Sequence, residues 1–258
     1  MNNIVFYFSG TGNCLKVAKT IAKELGNGEV VSMGKASGYS LTKQYDTIGF
    51  IYPTYFWGLP KKVIEFIENI KINNNKNSYY YAVTTYGSSV GYAIYQIYEI
   101  LFKKHGVKLN YGDKLQMFSN YVIMYDMSDK IDEITKKSNE DLIPIIDSIK
   151  NRKNNKINKF TKIFNFLNKW FIKTVSDKDK NYNVNDTCTG CGICKEVCPV
   201  KNIEMQNNRP KYNHNCELCV ACIQYCPQKA INYKNRTQKR RRYTHPEISY
   251  KELSEKNK

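Results

Sequence analysis

The chain has 258 residues, enough for one large domain or two smaller ones, and carries 40 Lys and Arg against 23 Asp and Glu, a formal charge of +17. No run approaches the roughly 20 apolar residues of a membrane span, and nothing resembles a secretory leader, so the thiols are expected to stay reduced in a cytoplasm. The charge is lopsided: residues 1–150 hold 17 basic and 14 acidic side chains and the remainder 23 and 9, which suits the second part to an acidic protein, an anionic membrane surface or nucleic acid.

In chain order, Ile4 to Phe8 is a short apolar run that reads as a buried parallel strand. Val17, Ala18, Ile21, Ala22 and Leu25 then recur at helical spacing up to Gly26. Glu29 to Ser32 and Thr47 to Tyr52 read as the second and third strands. Pro60 opens a helix with Val63, Phe66, Ile67 and Ile70 on its apolar face. Tyr79 to Thr85 is a fourth strand, rich in aromatic and β-branched residues. Ile94, Ile97, Tyr98 and Leu101 mark a helix closed by Gly106. A fifth strand falls between Lys108 and Met124. A last helix, broken or bent at Pro144, carries Ile131, Ile134, Leu142, Ile145 and Ile149. This alternation predicts an α/β fold with a doubly wound parallel sheet.

Ligands of such sheets bind at the carboxyl ends of the strands. The first loop there, Ser9, Gly10, Thr11, Gly12, Asn13 and Cys14, has small residues that let backbone amides and a helix N-terminus face a phosphate. It is neither a Walker loop nor G-x-G-x-x-G. Pro53, Thr54, Tyr55, Phe56, Trp57 and Gly58 offer flat aromatic faces after strand three. Thr85, Tyr86, Gly87 and Ser88 offer close backbone and hydroxyls after strand four. Together they suit a planar ring. Trp57 reads either as a ring-stacking residue or as a core anchor, and Cys14 either as a reactive thiol at a helix N-terminus or as a plain loop residue.

Strand–SGTGN–helix, then PTYFWGLP, then TTYGS resembles a flavodoxin over about residues 1–150. The resemblance implies FMN, with phosphate in the Ser9–Cys14 loop and the flavin ring between the other two loops. Flavodoxins usually place Thr where Cys14 stands, and they are strongly acidic, unlike this segment.

Eight of the nine cysteines form two copies of C-x2-C-x2-C-x3-C-P. Cys188, Cys191, Cys194 and Cys198 precede Pro199; Cys216, Cys219, Cys222 and Cys226 precede Pro227. This is the bacterial ferredoxin run, in which the fourth cysteine ligates the other cluster. It implies two 4Fe–4S clusters, one held by Cys188, Cys191, Cys194 and Cys226 and the other by Cys216, Cys219, Cys222 and Cys198. Zinc ribbons show paired C-x2-C knuckles rather than four-cysteine runs. The order flavodoxin-like domain (1–150), basic amphipathic helical linker (151–181), smaller α+β two-cluster ferredoxin domain (182–235) and basic tail (236–258) resembles flavodoxin–ferredoxin fusion proteins of anaerobic bacteria.

In the linker, Ile157, Phe160, Phe164, Leu167 and Phe171 recur at helical spacing with lysines opposite, predicting a basic helix over 156–173. Its apolar face either docks on a domain or lies on an anionic membrane. The run Lys239-Arg240-Arg241-Arg242 reads as a solvated or partner-facing charge cluster. His105, His214 and His245 show no ligand spacing, and no nucleophile–base–acid set is visible. The expected function is an FMN/iron–sulfur oxidoreductase joining one-electron carriers to a small two-electron acceptor. Its partners are redox proteins or that acceptor, with nucleic acid disfavoured. A relay without its own substrate and a basic redox-sensing binding module are the alternatives.

Overall fold

The structure is a computed structural model that describes residues 2–34, 38–159 and 165–257. Strands β1 (Asn3–Tyr7), β2 (Glu29–Ser32), β3 (Thr47–Pro53), β4 (Tyr79–Tyr86) and β5 (Tyr111–Gln116) form one sheet in the order β2-β1-β3-β4-β5. Each pairing is parallel. This is the doubly wound order whose switch point lies between β1 and β3. Successive side chains leave a strand on opposite faces, so the sheet supports two cores. Val5, Tyr7, Tyr81 and Val83 pack under α1 (Asn13–Glu24) and α4 (Ile131–Lys150). Ile4, Phe6, Phe50 and Tyr80 pack under α2 (Lys61–Asn69) and α3 (Ala93–Ile100). Burial on both faces is why β1, β3 and β4 read as continuous apolar runs.

Two helices differ from the sequence expectation. After α3 the chain makes a π-helical turn, Leu101–His105, before Gly106 closes it at φ 66. Helix α4 runs unbroken through Pro144, which sits on the exposed side. Water there can satisfy the carbonyl that the proline leaves without a donor.

The second unit is small. β6 (Tyr182–Val184) pairs antiparallel with β9 (Ile231–Tyr233), and β7 (Ile203–Gln206) with β8 (Arg209–Tyr212). Short helices α6 (Ile193–Glu196) and α7 (Ala221–Gln224) lie within the two cysteine runs and carry Cys194 and Cys222.

The basic helix expected over 156–173 begins later than its periodicity suggested. Residues 156–159 are not helical, 160–164 lie outside the described residues, and α5 spans Asn165–Val175. The preceding segment instead protects the edge of β5: Asn155 N donates to Asn110 O (3.1 Å), and Gly112 N donates to Asn155 Oδ1 (3.0 Å). Those pairings use edge groups that a free strand leaves open.

The C-terminal tail is not a solvated charge cluster. Arg240 donates to Val122 O (2.7 Å) and pairs with Asp126; Arg241 pairs with Asp129; Arg242 donates to Ile231 O and Thr237 O. The chain then returns to the first domain, where α8 (Tyr250–Asn257) lies by α1, with Lys16–Glu247 and Lys19–Glu252 ion pairs and Ile248 and Leu253 in the core.

Candidate functional site

A cleft opens at the carboxyl ends of β1, β3 and β4. Its floor is the β1–α1 loop. Gly12 caps α1 at φ 99, a left-handed conformation that strains any residue with a Cβ. Gly12 N donates to Ser9 Oγ (3.1 Å), and Asn120 donates to Thr11 Oγ1 (2.6 Å). The first turn of α1 carries no acidic residue, so the positive end of its dipole faces the cleft uncompensated. Cys14 is buried with Sγ 3.2 Å from Thr85 Oγ1, and burial pushes its thiol up to about 12. Burial thus favours the neutral thiol, which supports the plain loop reading.

The aromatic wall is a tight turn. Tyr55 and Gly58 exchange backbone hydrogen bonds (2.9 and 3.0 Å), and Phe56 and Trp57 between them adopt φ 43 and 60. Bulky residues occupy that region only when their surroundings fix them, and such strain gathers at ligand clamps. Here the fixing is explicit. Asn168 of α5 donates to Tyr55 O (3.0 Å) and Leu59 O (3.2 Å), and Gln96 of α3 donates to Asn168 Oδ1 (3.1 Å). Phe171 of α5 stacks on Phe56, centroids 4.4 Å apart and planes 13° from parallel. The opposite wall is the β4 loop, where a Cβ on Gly87 would collide with Ser119; at its base the hydroxyl of Thr84 in β4 lies 3.0 Å from that of Thr54, after β3.

Fourteen of the sixteen residues expected at this site line the cleft: Ser9, Gly10, Thr11, Asn13 and Cys14 on the floor, Pro53 to Trp57 on one side, Thr85 to Ser88 on the other. Gly12 and Gly58 do not. Gly12 packs beneath the loop against His245 and Ile248, and Gly58 packs on Asn168.

Two further walls were not foreseen. One is the loop after β5, with Phe118, Asn120, Tyr121, Met124 and Tyr125. In the order β2-β1-β3-β4-β5 that loop leaves the sheet beside the β4 loop, and the topology was the signal for it. The other is Leu218, Cys219 and Val220, from the second cysteine run.

All nine cysteines are free thiols. Eight line two small cavities, each drawing three from one run and the fourth from the other. Cys198, Cys216, Cys219 and Cys222 line the inner cavity, and Cys188, Cys191, Cys194 and Cys226 the outer. The pseudo-symmetry extends to backbone amides. Asn202 N donates to Cys198 Sγ and Ala230 N to Cys226 Sγ, both at 3.3 Å. Burial raises Cys194 and Cys216 to about 12, and raises Cys198, Cys219 and Cys222 as well. Among the described residues no group of three or more His, Cys, Asp or Glu forms a site for a metal ion.

The cleft and the inner cavity share a wall. Cys219 and Val220 line both. A Cβ on Gly10 would fall inside the Cys219 carbonyl, and one on Gly34 inside the Pro199 carbonyl, so the backbones touch at two points. Glu217 N-terminal to this wall is buried and accepts from Lys62 N (2.8 Å); burial raises its carboxyl to about 8. The tail braces the other side of the floor: Tyr243 donates to Asn13 Oδ1 (2.9 Å), stacks on Phe118, and His245 N donates to Thr11 O (2.8 Å).

Comparison with known proteins agrees with this division. A flavodoxin domain family matches residues 4–91 and a 4Fe–4S dicluster domain family matches residues 180–227. The chain is 50% identical over 32 residues to pyruvate synthase subunit PorD of Methanothermobacter marburgensis, a match covering 12% of this chain and 40% of that protein. Among solved structures, a flavodoxin of Fusobacterium nucleatum bound to flavin mononucleotide is 14% identical, with a TM-score of 0.39, over 60% of this chain and all of its own. A flavoprotein of Bacteroides uniformis is 21% identical, with a TM-score of 0.37, over 45% of this chain and 90% of its own. An N-terminal flavodoxin-like domain and a C-terminal 4Fe–4S domain are present. They point to an electron-transfer flavo/iron–sulfur protein.

Proposed function

We propose that the protein is an FMN/iron–sulfur oxidoreductase that joins one-electron carriers to a two-electron acceptor, with FMN in the cleft and a 4Fe–4S cluster in each four-cysteine cavity. The observation that carries the reading is the shared Cys219 wall: one residue belongs to the cleft and to the inner cavity. The residues fit both groups. Glycine backbone, a helix N-terminus and aromatic walls suit a phosphorylated planar ring. Four thiols converging on one cavity, three of them buried in the inner one, are costly as free thiolates and suit a metal–sulfur core that keeps them deprotonated.

FMN exchanges electrons singly or in pairs, whereas each cluster handles one at a time. The protein supplies order. Ser9, Gly10, Thr11 and Asn13 would hold the phosphate end, and Tyr55 to Trp57 with Tyr86 to Ser88 the ring. The outer cavity is the end nearer water, because Cys191 is exposed and Cys188 and Cys226 are half-buried, whereas Cys198, Cys216 and Cys222 are buried. That exposure favours the outer end for a one-electron partner. The rim residues Trp57, Met124 and Tyr125 are exposed, which favours an acceptor entering the cleft over a closed relay.

The test is anaerobic purification with flavin and iron analysis, then reduction by dithionite followed optically and by EPR, with quinones, flavins and nitroaromatics offered as oxidants. About one FMN and about eight irons per chain are expected. Holoprotein with zinc and no iron, or a colourless one, would end the proposal.

A further inference from the structure

Of the seven large hydrophobic side chains that are exposed among the described residues, five gather on neighbouring elements. Trp57, Met124 and Tyr125 rim the cleft. Phe166 and Trp170 stand on α5, the helix whose Phe171 stacks on Phe56 in the cleft wall. Helix α5 therefore has two working faces. Asn168, Phe171 and Val175 are buried and hold the aromatic turn in place. Phe166 and Trp170, four residues apart, project from the other side at 65% and 58% exposure. Lys169 and Lys173 are exposed beside them, and Lys178 lies 5.8 Å from the Trp170 ring. No acidic residue occurs in α5.

We propose that this outer face of α5 seats the protein on an anionic lipid surface, with the rim of the cleft beside it. Aromatic rings level with lysines on one helix face are the arrangement of headgroup-level anchors: the rings enter the boundary and the lysines meet anionic headgroups. Among the described residues no helix is long and apolar enough to cross a bilayer, and the eleven described residues of α5 suffice to lie along one. The net charge of +17 adds long-range attraction toward the same surface. Because the helix also clamps Tyr55 and Leu59, seating it would hold the cleft at the lipid boundary, where an acceptor carried in the bilayer arrives sideways. That last consequence rests on the oxidoreductase reading; the seating itself does not.

Flotation of the full-length holoprotein with vesicles tests it. Vesicles of phosphatidylcholine mixed with phosphatidylglycerol are expected to carry the protein at low salt and release it at high salt. Phosphatidylcholine alone is expected to leave it in solution. Lys169→Gln with Lys173→Gln should lower the partition coefficient by roughly 30-fold, and Phe166→Ser with Trp170→Ser should weaken it independently. Unchanged iron and FMN content checks that the variants are folded. Wild-type protein that ignores the mixed vesicles, as a face built for an acidic protein would, overturns the proposal, as do variants that float like wild type. Flotation by protein that holds neither FMN nor iron would uphold the seating and sink the oxidoreductase reading.

Discussion

The two cysteine runs share one spacing but not one environment. In the first run Gly190 and Gly192 take φ 72 and 78; at the matching positions of the second, Leu218 and Val220 take φ 50 and 58. Glycine occupies that region freely, whereas a β-branched residue there is strained by roughly 1–3 kcal/mol. The strained pair is the one that lines the cleft. Beyond Gly192 a Cβ would meet nothing within 4 Å. A repeated sequence thus supplies a two-fold scaffold, and apolar bulk is added only on the side where water must be kept from the space between the cleft and the inner cavity.

The largest effect should come from separating the two cavities by their cross-run cysteines. Cys198→Ser is expected to empty the inner cavity, leaving about four irons, and to slow flavin reduction by an external one-electron donor by orders of magnitude. Cys226→Ser should empty the outer cavity and leave the inner signal in EPR. Loss of the opposite cluster in either variant would break the cross-run assignment.

Next in size is the brace on the cleft floor, which the outer cavity lacks. His245 is buried, its Nε2 has no hydrogen-bond partner among the described residues, and burial holds its pKa down to about 4 against opposing Glu247. The unfolded chain protonates near 6.5 while the folded chain stays neutral, so the unfolded state binds more protons between those values. Stability is therefore full above pH 6.5 and falls as pH drops toward 4, by up to about 3 kcal/mol. Urea unfolding across that range should show the slope, and His245→Gln should flatten it. An identical slope in the variant would remove the assignment.

Gly10→Ala probes the contact itself. Its Cβ would force the Cys219 carbonyl away, at a cost of about 1–3 kcal/mol. Electron exchange between flavin and inner cluster should slow while the outer cluster's spectrum holds. Exchange at the wild-type rate would show that this contact is not the route.

The smallest and most diagnostic pair exchanges the two environments. Gly192→Ala should lose about 1 kcal/mol to strain alone. Val220→Gly relieves strain but surrenders a buried side chain, for a net loss of about 1 kcal/mol, and should expose the inner cluster alone to solvent oxidants. An inner cluster no more sensitive to oxidants in that variant than in the wild type would mean that Val220 is not the water barrier.

Much of this was legible beforehand because parallel strands buried on both faces write themselves as apolar runs, and because cluster ligation fixes cysteine spacing. Ile4, Thr47 and Tyr79 fall in strands as read. What escaped was set by tertiary contact. The Phe118–Tyr125 wall has no motif of its own. The arginines of the tail look like a solvated run until Asp126 and Asp129 stand opposite them. The helical period from Ile157 was overridden where Asn155 is held at the edge of β5. Nothing in residues 9–14 announced that Cys219 would lie against Gly10.

The brace contributed by Tyr243, His245 and Ile248 has a consequence for biosynthesis. Tyr243 is made 230 residues after Asn13, yet it supports the loop in which Asn13 stands. The floor of the cleft is therefore incomplete until the four-cysteine segments have been translated and the tail has come back across α1. Closure of the floor is thereby ordered after the synthesis of both cysteine runs.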